Sequence, residues 1–475
     1  MGSIKVIALA RIHRTIRVAV SAGAIMAVLP ASAETLESAL ARAYGANPAL
    51  NAQRASVRAT DENVARAKSG YRPRINATAD AGALFEEFES PARPVLGGVN
   101  PNSTTVTRTA PRGVGVQVDQ TLFNGFQTSN SVRQAESSVM SARETLRNNE
   151  QNTLFNAVTA YMNVLRDTAI LNLQRNNVEV IDEQLRQTRD RFEVGEVTRT
   201  DVAQAESRLA LARSQASLAE ANLRTSIATY RQVIGVEPRQ LAPGRPVDRL
   251  LPRTLEAALQ IGLKEHPAIH AALHGVDVAE LQVRITEGEL APQLGLTGTF
   301  ARRYDSQIPG DERTAASVVA RLTVPIYQGG DVHARTRQDK ETVGQRRLEA
   351  DSVRDQVRAA VISSWGQLEA ARAQIIAAQA QVDASETALN GVREEARVGQ
   401  RTTLDVLNAQ QELLNARVNL ITAQRDRVVA SYAVVQSTGR LSSRSIGLNV
   451  EQYSPKLHYD QVKDLWFGLT TPEGK

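Results

Sequence analysis

Residues 191–202 read RFEVGEVTRTDV and residues 397–406 read RVGQRTTLDV, so that Val-Gly and Asp-Val both recur at a spacing of 204 residues. Glycine ends a helix readily because it adopts a positive φ without strain. A Thr or Asp a few residues later can cap the helix that follows. The two stretches are therefore predicted to be tight tips, at residues 191–202 and 395–406, that each join two helices.

Each tip follows a long segment that is predicted to be helical. Residues 127–190 and 331–394 contain no proline, and each would extend about 96 Å at a rise of about 1.5 Å per residue. Large and small residues repeat at intervals of four and three along the second segment, which is typical of a coiled-coil seam. The helices predicted after the tips, residues 200–234 and 403–437, are only about half as long.

The helices after the tips are too short to cover the long helices beside them, and the segments that open each half of the chain are predicted to cover the rest. Pro48 to about Gly70 and Pro267 to about Glu289 read as helices with proline in the first turn, where its missing N–H costs nothing. If they stack end to end on the short helices, one long helix lies beside two short ones in each half.

The chain contains an internal repeat. Residues 35–40 read TLESAL and recur as TLEAAL at 254–259, an offset of 219, whereas residues 122–125 match 326–329 at an offset of 204. The first copy therefore carries 15 extra residues, which most simply form a Gly- and Pro-rich surface loop within residues 86–112. We divide the chain beyond residue 33 into a first repeat, a second repeat and a C-terminal belt or tail, at residues 34–245, 246–440 and 441–475.

Four strand-like segments lie between the short and long helices, at about residues 74–84, 113–123, 293–301 and 316–326. Polar and apolar residues alternate along them for about ten residues, which is the pattern of outer-membrane barrel strands. Because four strands cannot close a barrel and open edges cannot face lipid, three copies with twelve strands are the economical solution. A pair of amphipathic hairpins on a soluble core is the alternative. An interfacial belt is predicted from aromatic residues at one end of the strands: Tyr71, Phe123, Phe126 and Tyr327.

The first 33 residues read as a secretory leader. Four basic residues precede an apolar run from Val18 to Leu29, and Ala31-Ser32-Ala33 supplies the cleavage pattern, so cleavage is predicted after Ala33. The run is too short for a membrane-spanning helix. Without the leader the chain holds 52 basic and 51 acidic residues, which argues against nucleic acid as a partner. The absence of cysteine excludes disulfides and a thioether-linked lipid.

Over about residues 35–440 the chain resembles the TolC-type outer-membrane efflux proteins, and the two tips are its most specific motifs. The resemblance implies a mainly α fold with a β-barrel. In such a homotrimer each chain gives four strands to a twelve-stranded outer-membrane barrel and continues as a long coiled-coil α-helical barrel across the periplasm. The implied partners are a periplasmic adaptor (membrane fusion) protein, an inner-membrane efflux pump or ABC exporter, and outer-membrane lipid.

The implied function is passive conduction through a channel-tunnel, with no enzymatic activity and no cofactor. Drugs or toxic compounds and the polypeptides of type I secretion both fit such a tunnel, and the sequence does not separate them. The rival interpretation is a non-conducting periplasmic coiled coil or a trimeric surface adhesin, from which planar-bilayer conductance would distinguish a channel.

The resemblance also assigns roles at the tips. Asp405 would supply a ring of carboxylates at the periplasmic aperture, and Arg401 would pair with Asp201 and Thr200 in the closed state. The adaptor would dock on the residues at the turns: Val194, Gly195, Val398 and Gly399.

Two positions depart from the family pattern. Asn408 stands where a second aspartate is expected, and Ala396 replaces a gate tyrosine. A single ring of three charges, with a gate held by fewer contacts, is therefore expected. Helix capping is the alternative role for Asp201 and Asp405, and a plain surface charge is the alternative for Arg401.

A possible metal site is suggested by His266, His270 and His274, which are spaced four apart and would line one helix face. Their counterparts in the first repeat are not histidines, and no carboxylate or cysteine joins them. Neither a metal site nor a catalytic arrangement is therefore predicted.

Overall fold

The computed structural model describes residues 33–472 and 474. The predicted leader lies outside the described residues except for Ala33. Within residues 33–472, no helix is both long enough and apolar enough to cross a membrane.

Each repeat opens with two short helices, continues with a long one and closes with one of intermediate length. The helices are α1 (Leu36–Ala46), α2 (Pro48–Lys68), α3 (Gln127–Glu193), α4 (Arg199–Ile234), α5 (Leu255–Glu265), α6 (Pro267–Gly288), α7 (Asp331–Arg397), α8 (Thr403–Ser437), α9 (Ser443–Ile446) and α10 (Pro455–Val462). The long helices α3 and α7 have 67 residues each, and both begin at the predicted residue and end three residues beyond the predicted end. Proline occupies the first turn of α2 and of α6, as predicted.

The helices form a single layer of four columns. α3 packs between α4 and α8 near the tips and between α2 and α6 near the strands, and α7 packs against α8 and α6. α2 meets the end of α4, where Asn47 Nδ2 donates to Val233 O at 2.9 Å. α6 meets the end of α8, where the backbone of Gly439 lies against His266. The short helices thus stack end to end, as their lengths predict.

The largest core cluster joins the helices near the middle of the layer. Tyr161 and Tyr230 are fully buried there. The Tyr161 hydroxyl lies 2.7 Å from Glu34 O and 2.6 Å from Ala242 O. This side chain therefore fixes both the segment before α1 and the segment after α4 to the long helix.

Strands continue the helical layer at the end opposite the tips. They are β1 (Arg74–Ala81), β2 (Leu84–Ser90), β3 (Arg93–Val95), β4 (Gly98–Asn100), β5 (Ser103–Thr109), β6 (Arg112–Asn124), β7 (Gln293–Tyr304) and β8 (Glu312–Thr323). Four of them form an antiparallel sheet in the order β1–β6–β7–β8, with two strands from each repeat. In this sheet, as far as the chain is described, β1 and β8 are edges with one neighbour each.

The residues inserted in the first repeat are not an irregular loop. They form two antiparallel ribbons, β2 with β5 and β3 with β4, beyond the β1–β6 pair. Leu96 and Gly97 form the final turn, where Gly97 has a positive φ (105°), and the Thr-rich strand β5 on one side has the composition of a strand. The prediction of a surface loop is wrong because it averages the composition of the turn with that of the strands on either side.

Two equivalent glycines differ in their surroundings, which gives a test of the packing between repeats. Gly125 (φ 63°) and Gly329 (φ 64°) lie at matching positions, but a Cβ on Gly125 would lie 2.2 Å from Gly288 O, whereas one on Gly329 meets nothing within 4 Å. Each alanine substitution costs about 1–3 kcal/mol for the positive φ. We expect Gly125→Ala to lower the thermal unfolding temperature in detergent well beyond Gly310→Ala, since Gly310 also has a positive φ (88°) but faces open space in the β7–β8 turn; equal losses would contradict the close approach.

Candidate functional site: the two tips and the sheet face

Both tips have the same local structure. Gly195 (φ 81°) follows the end of α3 and Gly399 (φ 80°) follows the end of α7. Thr198 and Thr402 then cap α4 and α8, each accepting a hydrogen bond from the backbone N–H three residues on. The predicted turns are thus present at matching positions, with Thr as the cap.

Asp201 and Asp405 complete the two capping boxes. Thr198 N and Oγ1 donate to Asp201 Oδ2 at 2.9 and 2.7 Å, and Thr402 N and Oγ1 donate to Asp405 Oδ2 at 3.0 and 2.8 Å. These hydrogen bonds favour the charged form, so the pKa of each carboxyl lies below its usual value of 3.8. Both carboxylates therefore cap a helix and carry a charge at neutral pH.

Arg401 has a different partner from the expected one in this single chain. Its Nε donates to Glu395 Oε2 at 2.8 Å, and this pairing raises the pKa of the guanidinium above its ordinary value. Glu395 lies on the same hairpin, six residues earlier, and the Asp201 carboxylate is already held by Thr198. The expected contacts of Arg401 with Asp201 and with Thr200, which is exposed, stay a prediction for an assembled closed state.

A groove of about 960 Å³ lies between the two tips. Arg401 and Asp201 both line it, so the fold places them on one surface without pairing them. Three further arginines and three further acidic residues share this lining: Arg191, Arg393, Arg397, Glu179, Glu183 and Glu196. Beside the groove, Val194 and Val398 are 72% and 66% exposed at the two turns.

The two departures from the family pattern both make contacts near the tips. Asn408 Oδ1 accepts a hydrogen bond from Arg208 Nη2 at 2.6 Å, which links α4 to α8 across the repeats. Ala396 packs against the apolar core of the second tip. Sequence reasoning missed Arg208 because the two partners lie 200 residues apart and no pattern pairs them.

The β1–β6–β7–β8 sheet separates apolar from polar side chains. In the register of the strands, Ile75 lies opposite Val118 and Phe300 opposite Val116, whereas the Thr297 hydroxyl on the other face donates to Asp119 at 2.9 Å. Large apolar side chains on the first face are exposed in the single chain: Ile75, Val114, Val116, Phe300, Val318 and Leu322. An apolar face of this kind is typical of strands that contact lipid.

The four predicted belt aromatics lie where the sheet meets the helices. Tyr71 lies three residues before the start of β1, Phe123 is the penultimate residue of β6 and Phe126 is the N-cap of α3, while Tyr327 lies between β8 and α7. All four are exposed, and the Phe123 and Phe126 rings meet edge to face at 5.3 Å. The structure therefore gathers these residues at one level of the molecule.

The three histidines of α6 have separate partners. His266 caps the helix by accepting from Ala268 N at 3.2 Å, and burial lowers its pKa to about 4. His270 Nε2 lies 2.9 Å from Lys264 O, and His274 Nδ1 lies 3.3 Å from Asp277 Oδ2. In the described part of the chain, no three potential metal ligands lie together.

Known proteins are similar to this chain in sequence. The family model for outer membrane efflux proteins matches residues 39–236 and 258–440. The outer membrane efflux protein BepC of Brucella suis is 44% identical over 455 residues, which cover 95% of this chain and 96% of BepC. Outer membrane protein TolC of Escherichia coli is 25% identical over 434 residues, or 87% of this chain and 84% of TolC.

A solved structure supports the same fold. The CmeC outer membrane channel of Campylobacter jejuni matches with a TM-score of 0.76 at 15% identity, covering 90% of this chain and 89% of CmeC. The duplicated tips, the apolar sheet face and these similarities lead to one conclusion: the chain belongs to the TolC-type outer membrane efflux protein family.

Proposed function

We propose that the chain is the outer-membrane channel of a tripartite export system and conducts small toxic compounds passively to the outside. An inner-membrane transporter would supply the work, and a periplasmic adaptor would connect it to the tips. The observation that carries the proposal is the architecture of a single chain: an amphipathic sheet continued by one layer of helices, with a free edge on each side.

Ring closure by three chains follows from these edges. β1 and the α2–α4 column form one edge, and β8 and α7 form the other, so head-to-tail contacts close a ring. Both edges expose large apolar residues that a neighbour would cover: Leu211 and Leu218 on α4, and Leu348, Ile362 and Ile376 on α7. Three chains would then supply a barrel of twelve strands.

The contact between repeats inside one chain provides a template for the contact between chains. Gly125 of the first repeat lies against Gly288, at the end of α6 in the second repeat. The matching Gly329 faces open space in the single chain. In a ring of six similar repeats, Gly329 would meet the end of α2, near Gly70, of the next chain.

At the tips, we infer that Asp405 from three chains forms the carboxylate ring and that Arg401, Asp201 and Thr200 constrict the closed aperture. The shared groove supports this, because Arg401 and Asp201 line it together with many other charges. In the assembled closed state, Arg401 would pair with Asp201 across this groove in place of Glu395. Opening would be a shift of population toward separated tips, stabilised by the adaptor.

Replacing Arg401 tests the gate. Arg401→Ser should raise the closed-state conductance in planar bilayers and increase antibiotic leakage, because one polar link per chain is lost. Arg397→Ser is the matched control, since Arg397 lines the same groove and pairs with Glu394 at 2.7 Å on its own helix. An unchanged conductance in Arg401→Ser, or an equal rise in both variants, would remove Arg401 from the gate.

Adaptor docking is proposed for the turns at Val194, Gly195, Val398 and Gly399. Their exposed valines flank a groove with charges of both signs, which suits a protein partner with an apolar tip and a polar rim.

We also propose that the leader is cleaved after Ala33. N-terminal sequencing of the membrane-inserted protein should begin at Glu34.

Deletion of the gene tests whether the channel conducts small toxic compounds or secreted polypeptides. The measurements are the susceptibility of the cells to drugs and the amounts of secreted proteins in the medium. We expect susceptibility to detergents and antibiotics to rise and to be restored by the intact chain. Unchanged susceptibility together with loss of secreted polypeptides would replace small molecules by polypeptides as the cargo. Loss of surface adhesion alone would favour the structural alternative.

A further inference from the structure

The C-terminal tail returns to the level at which the sheet meets the helices. α10 packs against α2, and the residues after it contact the link between α2 and β1. Lys68 Nζ pairs with Asp464 Oδ1 at 2.7 Å, and Arg72 Nη1 donates to Leu465 O at 2.6 Å. The end of the tail therefore lies beside Tyr71, one of the four belt aromatics.

The tail is fixed in this position by buried groups. Asp61 on α2 is fully buried, and its Oδ2 lies 3.1 Å from His458 Nδ1 on α10. Arg143 of α3 lies 3.8 Å from the same carboxylate and 5.0 Å from the centre of the Tyr459 ring. Val462, the last residue of α10, is also fully buried. Such contacts indicate a built feature of the fold, because burying Asp61 is costly without its partners.

Residues 465–469, which follow α10, expose large apolar side chains. Trp466 and Phe467 are 58% and 88% exposed, and their ring centres lie 6.3 Å apart. Leu465 is half exposed and Leu469 is fully exposed. The guanidinium of Arg72 lies 4.6 Å from the centre of the Trp466 ring, so a cation accompanies the aromatic pair.

We propose that residues 465–469 form an interfacial anchor that inserts into the periplasmic leaflet of the outer membrane. The inference rests on the proposed placement of the sheet in that membrane. Continuity supports lipid as the occupant, because the anchor contacts Arg72, which follows Tyr71 and precedes β1, the strand whose apolar face begins at Ile75. Trp is favoured at membrane interfaces because its ring is apolar and its N–H is polar.

Tryptophan fluorescence tests the anchor directly, because the chain has two tryptophans and the other is elsewhere. Trp365 lies on α7, where its Nε1 donates to Glu369 at 3.0 Å. The full-length mature protein would be placed in nanodiscs of phosphatidylcholine, with either plain or brominated acyl chains. Trp365→Phe leaves only Trp466 as the emitter, and Trp466→Phe leaves only Trp365 as the matched control.

We expect brominated lipid to quench Trp466 by about twofold or more and to leave Trp365 unchanged, since bromine quenches only at close range in the membrane. Emission from Trp466 that responds to aqueous iodide but not to brominated lipid would overturn the anchor. Emission shielded from both quenchers would also overturn it and would assign the surface to a neighbouring chain. Conductance of the same purified protein in planar bilayers separates the two proposals. A conducting channel with unquenched Trp466 refutes the anchor alone, whereas failure to insert and conduct refutes the proposed function.

Discussion

Val318→Lys should abolish insertion of the protein into the outer membrane, while Ser317→Lys, one residue away, should leave it largely intact. Val318 lies at the middle of β8 opposite Gly298, is 75% exposed, and shares the apolar face with Leu322 and Phe300. A lysine facing lipid at mid-membrane costs about 2–4 kcal/mol, and a trimer would carry it three times. Ser317 pairs with Thr299 on the polar face, where a charge would meet water.

The measurement is the amount of protein in purified outer membranes and the fraction that migrates as a trimer without heating. We expect Val318→Lys to be nearly absent from this fraction and Ser317→Lys to resemble the unchanged protein. Normal insertion of Val318→Lys would mean that this face does not contact lipid. Failure of Ser317→Lys alone would mean that the two faces of the sheet are assigned the wrong way round.

The second large effect is expected at Asp405, where two substitutions separate charge from capping. Asp405→Asn keeps an oxygen that can accept from Thr402 N, whereas Asp405→Ala removes both the acceptor and the charge. If the carboxylates line the aperture, both variants should lose most of the cation preference measured by reversal potential. Asp405→Ala should also lose more stability than Asp405→Asn does, because it leaves Thr402 N and Oγ1 without their acceptor.

Asp201→Asn is the matched control, because Asp201 occupies the same capping box in the other tip. We expect it to change selectivity less than Asp405→Asn does. Equal changes in both variants would mean that Asp405 does not form the ring by itself. Unchanged selectivity in Asp405→Asn would leave capping as the role of this carboxylate.

The ionisation of the Asp405 carboxyl determines how cation selectivity should depend on pH. Hydrogen bonds from the backbone and side chain of Thr402 lower the pKa of Asp405 below 3.8. Its contribution to stability is therefore complete above the unfolded pKa and is lost as the pH falls through the lower folded value. Cation preference should stay constant between about pH 7 and about pH 5, where the carboxyl remains ionised; a marked fall in that range would contradict the account.

The helical layer could be predicted largely from the sequence because its signals are local and strong. Pro48 and Pro267 mark helix starts, the long helices contain no proline, and Gly195 and Gly399 end them. The ribbons within residues 86–112 were not predicted, because their pairing depends on contacts across a turn.

At the tips, the capping residues could be predicted from residue types, whereas the partners that Arg401 and Arg208 have in the single chain could not. Arg401 pairs with Glu395 on its own hairpin, and Arg208 reaches Asn408 across the repeats. Both choices depend on how the helices are placed beside one another, which no short motif encodes. The position of Trp466 beside Arg72 depends in the same way on the docking of α10.

The most direct test of the central claim is single-channel recording with the purified mature protein in planar lipid bilayers. A passive trimeric conduit predicts discrete, cation-preferring steps of conductance that need no nucleotide, accompany the trimer fraction and rise in Arg401→Ser. A protein that inserts as a trimer yet gives no conductance steps, even in the Arg401→Ser variant, would contradict the account.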